Sequence, residues 1–197
     1  MTDARDESRL RSALQGTAIH GIPGDVTDGE HRSALIEAVT RLGGLDLLVH
    51  NASELGPMLP LADVVPDQLV EVLATNLLAP LQLTQRLLQQ LCVSGGALVG
   101  ISSDAAVEHY PTWGAYAASK AALDHMVLTL AAENGLRGYA VDPGDLRTTM
   151  HQRAFPGEDI SDRPLPETIV PHLVSLVTSD RPTGRYRVAE LVAETIR

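Results

Sequence analysis

Two residues of this chain are spaced for proton chemistry. Tyr116 and Lys120 are four positions apart, so on a helix both side chains share one face. A tyrosine with its ordinary pKa of about 10 is a poor base at neutral pH. An ammonium beside it stabilises the phenolate and lowers that value. The pair then suits proton exchange with an alcohol or a carbonyl. The spacing alone is a common accident. Here, however, Lys120 is the only lysine, and the other basic residues among the 15 are arginine. A GC-rich genome explains such a bias, but the two side chains are not interchangeable where a tunable ammonium is required.

Ser103 lies 13 residues before Tyr116, just past an apolar run. Its hydroxyl could hold a substrate oxygen beside the tyrosine, or cap a backbone group of a loop. Asn76 falls inside a helical stretch, where asparagine is a poor former. It reads either as a tolerated polar group or as the holder of a water in a proton relay. His109, Tyr110 and Trp113 lie between Ser103 and Tyr116, in a chain with one Trp, one Phe and four Tyr. They could line a substrate pocket or pack a loop. The polar stretch 150–164 reads as a substrate lid or a surface loop. The seven histidines show no metal-ligand spacing, and Cys92 is alone.

These residues need a frame. Short apolar runs alternate with longer amphipathic segments. Strands are expected at 17–23, 45–50, 97–101, 137–141 and 186–188. Helices are expected at 5–14, 29–42 (capped by Asp28), 66–91 (interrupted by Pro80), 115–133 and 166–178. The alternation implies an α/β fold, a parallel sheet covered by helices on both faces. In such sheets ligands sit beyond the carboxyl ends of the strands. The residues with chemical potential fall there: Asp25, Asn51 to Ser53, Ser102-Ser103 and Pro143-Gly144.

Composition narrows the function classes. With 197 residues, 44% hydrophobic and 20% charged, the chain reads as one domain spanning residues 1–197. A net charge of −10 repels phosphate backbones, so no nucleic-acid partner is expected. No apolar run reaches membrane-span length. The charged start has no apolar core of a secretory signal, and the single cysteine fits a reducing compartment. A cytoplasmic protein is expected.

Taken in order, Asp25-Val26, His50-Asn51-Ala52-Ser53, Asn76, Ile101-Ser102-Ser103, Tyr116 with Lys120, and Pro143-Gly144 with Thr148 resemble the short-chain dehydrogenases/reductases. The resemblance runs from about Arg5 to Thr148. It implies a Rossmann-like three-layer αβα fold and an NAD(P)-dependent oxidoreductase that interconverts a carbonyl and a secondary alcohol. Tyr116 would be the general acid/base, and Lys120 would lower its pKa and bond the nicotinamide ribose. Ser103 would orient the substrate oxygen, and Asn76 would hold a water linking Lys120 to solvent. Asp25 would contact the adenine amino group, with Val26 by the ring. Asn51 and Ala52 match the family's Asn-Asn-Ala-Gly turn, while His50 and Ser53 depart from it. Pro143 and Gly144 would border the nicotinamide, and Thr148 would bond its carboxamide. Arg5 falls where NADP-preferring members carry a basic residue, which favours NADP over NAD. A homodimer or tetramer acting on a small molecule is implied. Asp142 and Asp145 add negative charge beside the Pro143-Gly144 turn, which is atypical of the family.

One family feature is missing from these 197 residues. No Gly-x-x-x-Gly-x-Gly turn occurs, although that turn holds the cofactor diphosphate at a helix N-terminus. The expected fold is therefore truncated at its N-terminus, without the first strand, glycine-rich turn, first helix and second strand. Removing inner strands leaves two edges facing a gap. Three outcomes are open: an upstream segment completes the sheet, the strand near residue 20 slides over to pair with 45–50, or a partner chain fills the gap. The alternative function is a degenerate, non-redox member: a binding or scaffold protein, or a cofactor-independent acid/base catalyst.

Overall fold

Strand and helix alternate through the computed structural model, which describes residues 1–195; the last two residues of the expected domain lie outside them. Four strands form one parallel sheet in the order β3-β4-β5-β6: β3 Leu47–His50, β4 Ala97–Ile101, β5 Arg137–Asp142 and β6 Gly184–Arg187. β4 and β5 are the inner pair, and their side chains are buried on both faces. That is why they read as unbroken apolar runs. Helices α7 (Val170–Thr178) and α8 (Val188–Thr195) cover one face, packing Leu176, Val188 and Leu191 on Val99, Tyr139 and Val141. Helix α5 (Gly114–Asn134) covers the other, with Leu123 and Val127 on Leu98. This is the three-layer, Rossmann-like arrangement expected from the sequence.

Glycine sets how closely α5 approaches. A Cβ at Gly100 would lie 3.0 Å from Val127 Cγ2 and 3.3 Å from Leu123 Cγ. At Gly138 it would strike Ala131 and lie 3.2 Å from the Val127 carbonyl. The helix carrying Tyr116 and Lys120 is thus seated against bare backbone.

The expected helix 66–91 is three pieces. Helix α3 (Pro66–Leu73) runs into a π-helical turn, Ala74–Leu78, and then α4 (Ala79–Ser94). Pro80 has no N–H for the carbonyl four residues back, that of Asn76. The wider turn absorbs the mismatch, and such turns often accompany functional sites. Asn76 sits inside it, fully buried.

The start of the chain corrects two expectations. Residues Thr2–Ala4 form a strand, β1, where none was expected. It pairs in parallel with β2, Gly21–Pro23, as a separate two-stranded sheet. Three residues, one of them Asp3, are too short to show an apolar period. The alternative of a slide onto β3 also fails, because β2 bonds β1, whereas β3 pairs with β4. Helix α1 (Glu7–Leu14) is capped by Asp6 and buries Leu10. Helix α2 (Gly29–Leu42) is capped by Asp28 and buries Leu35, Ala38 and Val39. The β1 residues Thr2 and Ala4 and all of β3 line one cavity between the sheets, and Leu47 and Val49 on β3 are exposed. No helix among the described residues is long and apolar enough to cross a membrane. Two short helices were not foreseen: α8 and α6 (Thr149–Ala154).

Candidate active site

The cavity between the two sheets has a volume of about 1060 Å³, at the top of the range for small-molecule pockets. Its walls include Arg5, Asp25 and Val26, then Asn51, Ala52 and Ser53, and also Ser103, Tyr116, Lys120, Pro143, Gly144 and Thr148. These residues are spread over 144 positions, and the strand ends bring them together as expected.

Tyr116 is 8% exposed and packs edge-on to Trp113, with ring centroids 5.8 Å apart. Burial pushes its phenol up to about 12, although the Ser103 and Ser53 hydroxyls pull the other way. Lys120 is 1% exposed; burial pulls its ammonium down to about 8, against the attraction of Asp124. Its Nζ donates to the Ile101 carbonyl at 2.7 Å and lies 5.5 Å from the Tyr116 ring centroid. The expectation that Lys120 lowers the tyrosine's pKa therefore meets a stronger opposing effect, the removal of the phenol from water.

Ser103 Oγ caps the short 3₁₀ turn Asp104–Ala106, accepting the Ala105 N–H at 3.2 Å and donating to Asp104 Oδ1 at 3.0 Å. It is both the loop cap and a wall of the cavity. The Asn76 side chain ties three backbone segments together. Oδ1 accepts the Glu54 N–H at 2.7 Å, and Nδ2 donates to the Glu54 carbonyl at 2.9 Å and to Ser119 Oγ at 2.8 Å. Both amide hydrogens are committed, so this side chain has none left for a relay water.

Asp25 accepts the Thr27 N–H at 2.8 Å, which with the Thr27 hydroxyl and Arg5 holds its carboxyl below the usual range. Arg5 is 3.7 Å from Asp25 and 3.5 Å from Glu54, bridging the ends of the two sheets. Thr148 N-caps α6, accepting the His151 N–H. Gly144 turns at φ +75°, a conformation that costs glycine little.

Of the aromatic segment, Trp113 joins the cavity wall and touches Phe155 at 5.8 Å between centroids; His109 and Tyr110 stay outside, with Tyr110 bonded to Asp104. The 150–164 stretch begins with helix α6, which places Met150 and Ala154 against Tyr116's apolar surroundings and ties Arg153 to Glu54. Three features escaped the sequence. Glu54 joins Arg5 to Arg153. His50 bonds Thr84 at 2.8 Å, and burial pushes its ring down to about 4. Asp124 and Asp142 both meet Arg185. Only Asp124, one turn past Lys120, was within reach of a spacing argument.

The site tests the fit of a dinucleotide. Ser53 Oγ is buried in the cavity wall without a hydrogen-bond partner, close enough to influence Tyr116 but not well placed to bond it. Such an orphaned group suits a ligand in the cavity. The residues expected to meet the cofactor line this one cavity, while no Gly-x-x-x-Gly-x-Gly turn is among its walls.

The family model described as short chain dehydrogenase matches residues 3–159. The chain belongs to the short-chain dehydrogenase family. The oxidoreductase YciK of Escherichia coli (strain K12) is 39% identical over 145 residues, 71% of this chain and 58% of that protein. General stress protein 39 of Bacillus subtilis is 31% identical over 160 residues, covering 79% of this chain and 56% of that protein. The chain thus spans under two thirds of these relatives' length. A short chain dehydrogenase from Shigella flexneri, solved with NADP, superposes with a TM-score of 0.86 at 31% identity, covering 95% of this chain and 84% of that one. One from Escherichia coli CFT073, solved with NADPH, gives 0.85 at 31%, covering 94% and 84%.

Proposed function

We propose that this chain carries the acid/base site of an NADP(H)-dependent oxidoreductase that interconverts a carbonyl and a secondary alcohol. The observation that carries the reading is convergence: Ser103, Tyr116 and Lys120 line the same cavity as Asp25, Val26 and Arg5. The NADP and NADPH in the two Shigella and Escherichia structures support the choice of cofactor, as does Arg5.

The nicotinamide would supply or accept the hydride. The remaining work falls to the chain. A phenol raised to about 12 is protonated at neutral pH, so Tyr116 is ready to donate a proton to a carbonyl oxygen. The protonated form is the one that carbonyl reduction uses. Ser103 Oγ would hold the same oxygen. Lys120 has three donors and gives one to Ile101, leaving two for a ribose hydroxyl and for reprotonating the tyrosine. Pro143, Gly144 and Thr148 would hold the nicotinamide, Asn51, Ala52 and Ser53 the middle of the cofactor, Asp25 and Val26 its adenine. Arg5 would meet the 2′-phosphate of NADP, exchanging a carboxylate partner for it. The substrate would lie against Leu55, Trp113 and Met150, which exclude water. The exposed Val70, Leu78 and Val93 on α3, the π turn and α4 suit a homo-oligomer, and the lone cysteine a cytoplasmic setting.

Trp113 is the only tryptophan and lines the cavity, so its fluorescence reports binding. NADPH should quench it saturably, and more tightly than NADH. Tyr116→Phe should keep that binding and cut carbonyl reduction at least about 100-fold. Unchanged turnover would remove Tyr116 from the mechanism. Absence of saturable binding would favour the binding or scaffold reading.

A further inference from the structure

Asp142 is an oddity: a carboxylate only 3% exposed, immediately before the Pro143-Gly144 turn. A buried charge of this kind needs partners. Its Oδ1 accepts the Gly144 N–H at 2.9 Å, fixing the turn. Its Oδ2 lies 3.6 Å from Arg185 Nη2 and 3.5 Å from Arg187 Nε. Arg185, on β6, does more than neutralise it. Nε donates to Asp124 Oδ2 at 3.1 Å, on α5 one turn beyond Lys120. Nη2 donates to the Ser103 backbone carbonyl at 2.8 Å.

We propose that Arg185 is a positioning residue of the acid/base site, one guanidinium fixing the Ser103 backbone, the Asp124 turn of helix α5 and, through Asp142, the Gly144 turn. The proposal rests on the oxidoreductase reading above. Geometry supports it: the planar guanidinium has five donors in a fixed fork, so it can serve three segments at once, whereas an ammonium is a point charge. Position supports it too. Ser103, Lys120 and Gly144 come from three different elements, and among the described residues Arg185 contacts the backbone or near neighbour of each. Arg187 is 57% exposed and reaches Asp142 alone among these groups, so it is the natural control.

Amide hydrogen exchange tests the idea without requiring turnover. In the wild type, Gly144 N–H is held by Asp142, and Ala106 N–H by the Ser103 carbonyl that Arg185 also bonds. Arg185→Met should speed exchange at both amides at least about tenfold, while β5 amides such as Tyr139 stay protected. Arg187→Met should leave both within about threefold. In the reductase assay Arg185→Met should lower kcat at least about tenfold with KM within about threefold, and Arg185→Lys should restore only part of it. Unchanged exchange at Gly144 and Ala106 overturns the proposal. So does a uniform loss across β5, which would make Arg185 a general support of the fold. So does an unchanged kcat in a folded variant. If Arg185→Met does not fold, Arg185→Lys is read by the same criteria. If the wild type reduces no carbonyl, the oxidoreductase reading fails, and the exchange result alone decides whether Arg185 positions these segments.

Discussion

Lys120 holds its ammonium over the Tyr116 ring, 5.5 Å from the centroid, and donates to the Ile101 carbonyl at 2.7 Å. The helix spacing brings the two side chains together, but burial controls both. The phenol is pushed up to about 12 and the ammonium down to about 8. The pair at rest is a protonated acid beside a strained cation.

The cost of that cation can be measured. The unfolded chain binds the lysine proton near the ordinary value of 10.5, the folded chain only near 8. Stability is therefore lost as pH falls through that window, about 3 kcal/mol by neutral pH. Lys120→Met removes the burden but forfeits the bond to Ile101. It should stabilise the fold by about 1–3 kcal/mol at pH 7 while abolishing carbonyl reduction. Urea unfolding checks this, and the gap from wild type should narrow as pH is raised toward 10. A destabilised variant would show that the ammonium contributes more than it costs.

His50 gives an acid-side counterpart. Burial lowers its pKa from 6.5 to about 4, so the folded state keeps it neutral. Below pH 6.5 the unfolded chain takes up a proton that the folded chain refuses, and stability falls until about pH 4. The loss approaches about 3 kcal/mol. His50→Gln can keep a bond to Thr84 but cannot titrate. Between pH 7 and pH 4.5 the wild type should lose about 2–3 kcal/mol more than this variant, read from denaturant midpoints. Parallel pH profiles would contradict the assignment.

The strands and helices around the site were legible because their signals are local. The apolar runs at 45–50 and 97–101 declared strands, although only the second is buried and Leu47 and Val49 of the first are exposed. The spacing of Tyr116 and Lys120 declared a shared helix face. The order of the motifs identified the family. What escaped depends on distance or length. Arg185 meets Asp124 across 61 positions, and no spacing argument spans that. Strand β1 has three residues, too few for a period. The π turn follows from Pro80, which marked a break but not its form. The Tyr116 pKa depends on how deeply α5 is buried, a property of the assembled layers.

Gly100 couples that layer packing to chemistry. It lies on β4 beneath α5, where a Cβ would stand 3.0 Å from Val127 Cγ2. Gly100→Val must push the helix outward. Overpacking of this kind costs about 1–3 kcal/mol. Because α5 carries Tyr116 and Lys120, kcat should also fall, by about tenfold or more for a shift near 1 Å. Thermal unfolding and steady-state kinetics together check the pairing. A destabilised variant with unchanged kcat would show that the site tolerates displacement of its helix.

Asn76 is the most heavily committed polar side chain of the site. It is fully buried, and its removal would strand the Glu54 N–H and the Glu54 carbonyl, while Ser119 Oγ keeps its bond to the Tyr116 carbonyl. Each buried group left without a partner costs about 1–3 kcal/mol. Asn76→Ala should therefore destabilise the chain by about 2 kcal/mol or more, seen as a lower urea midpoint. Asn76→Asp can still accept from Glu54 N–H but cannot donate to the Glu54 carbonyl, and it introduces a buried charge. It should be no more stable than the alanine variant. If both variants unfold like the wild type, the side chain does not hold the loop after β3.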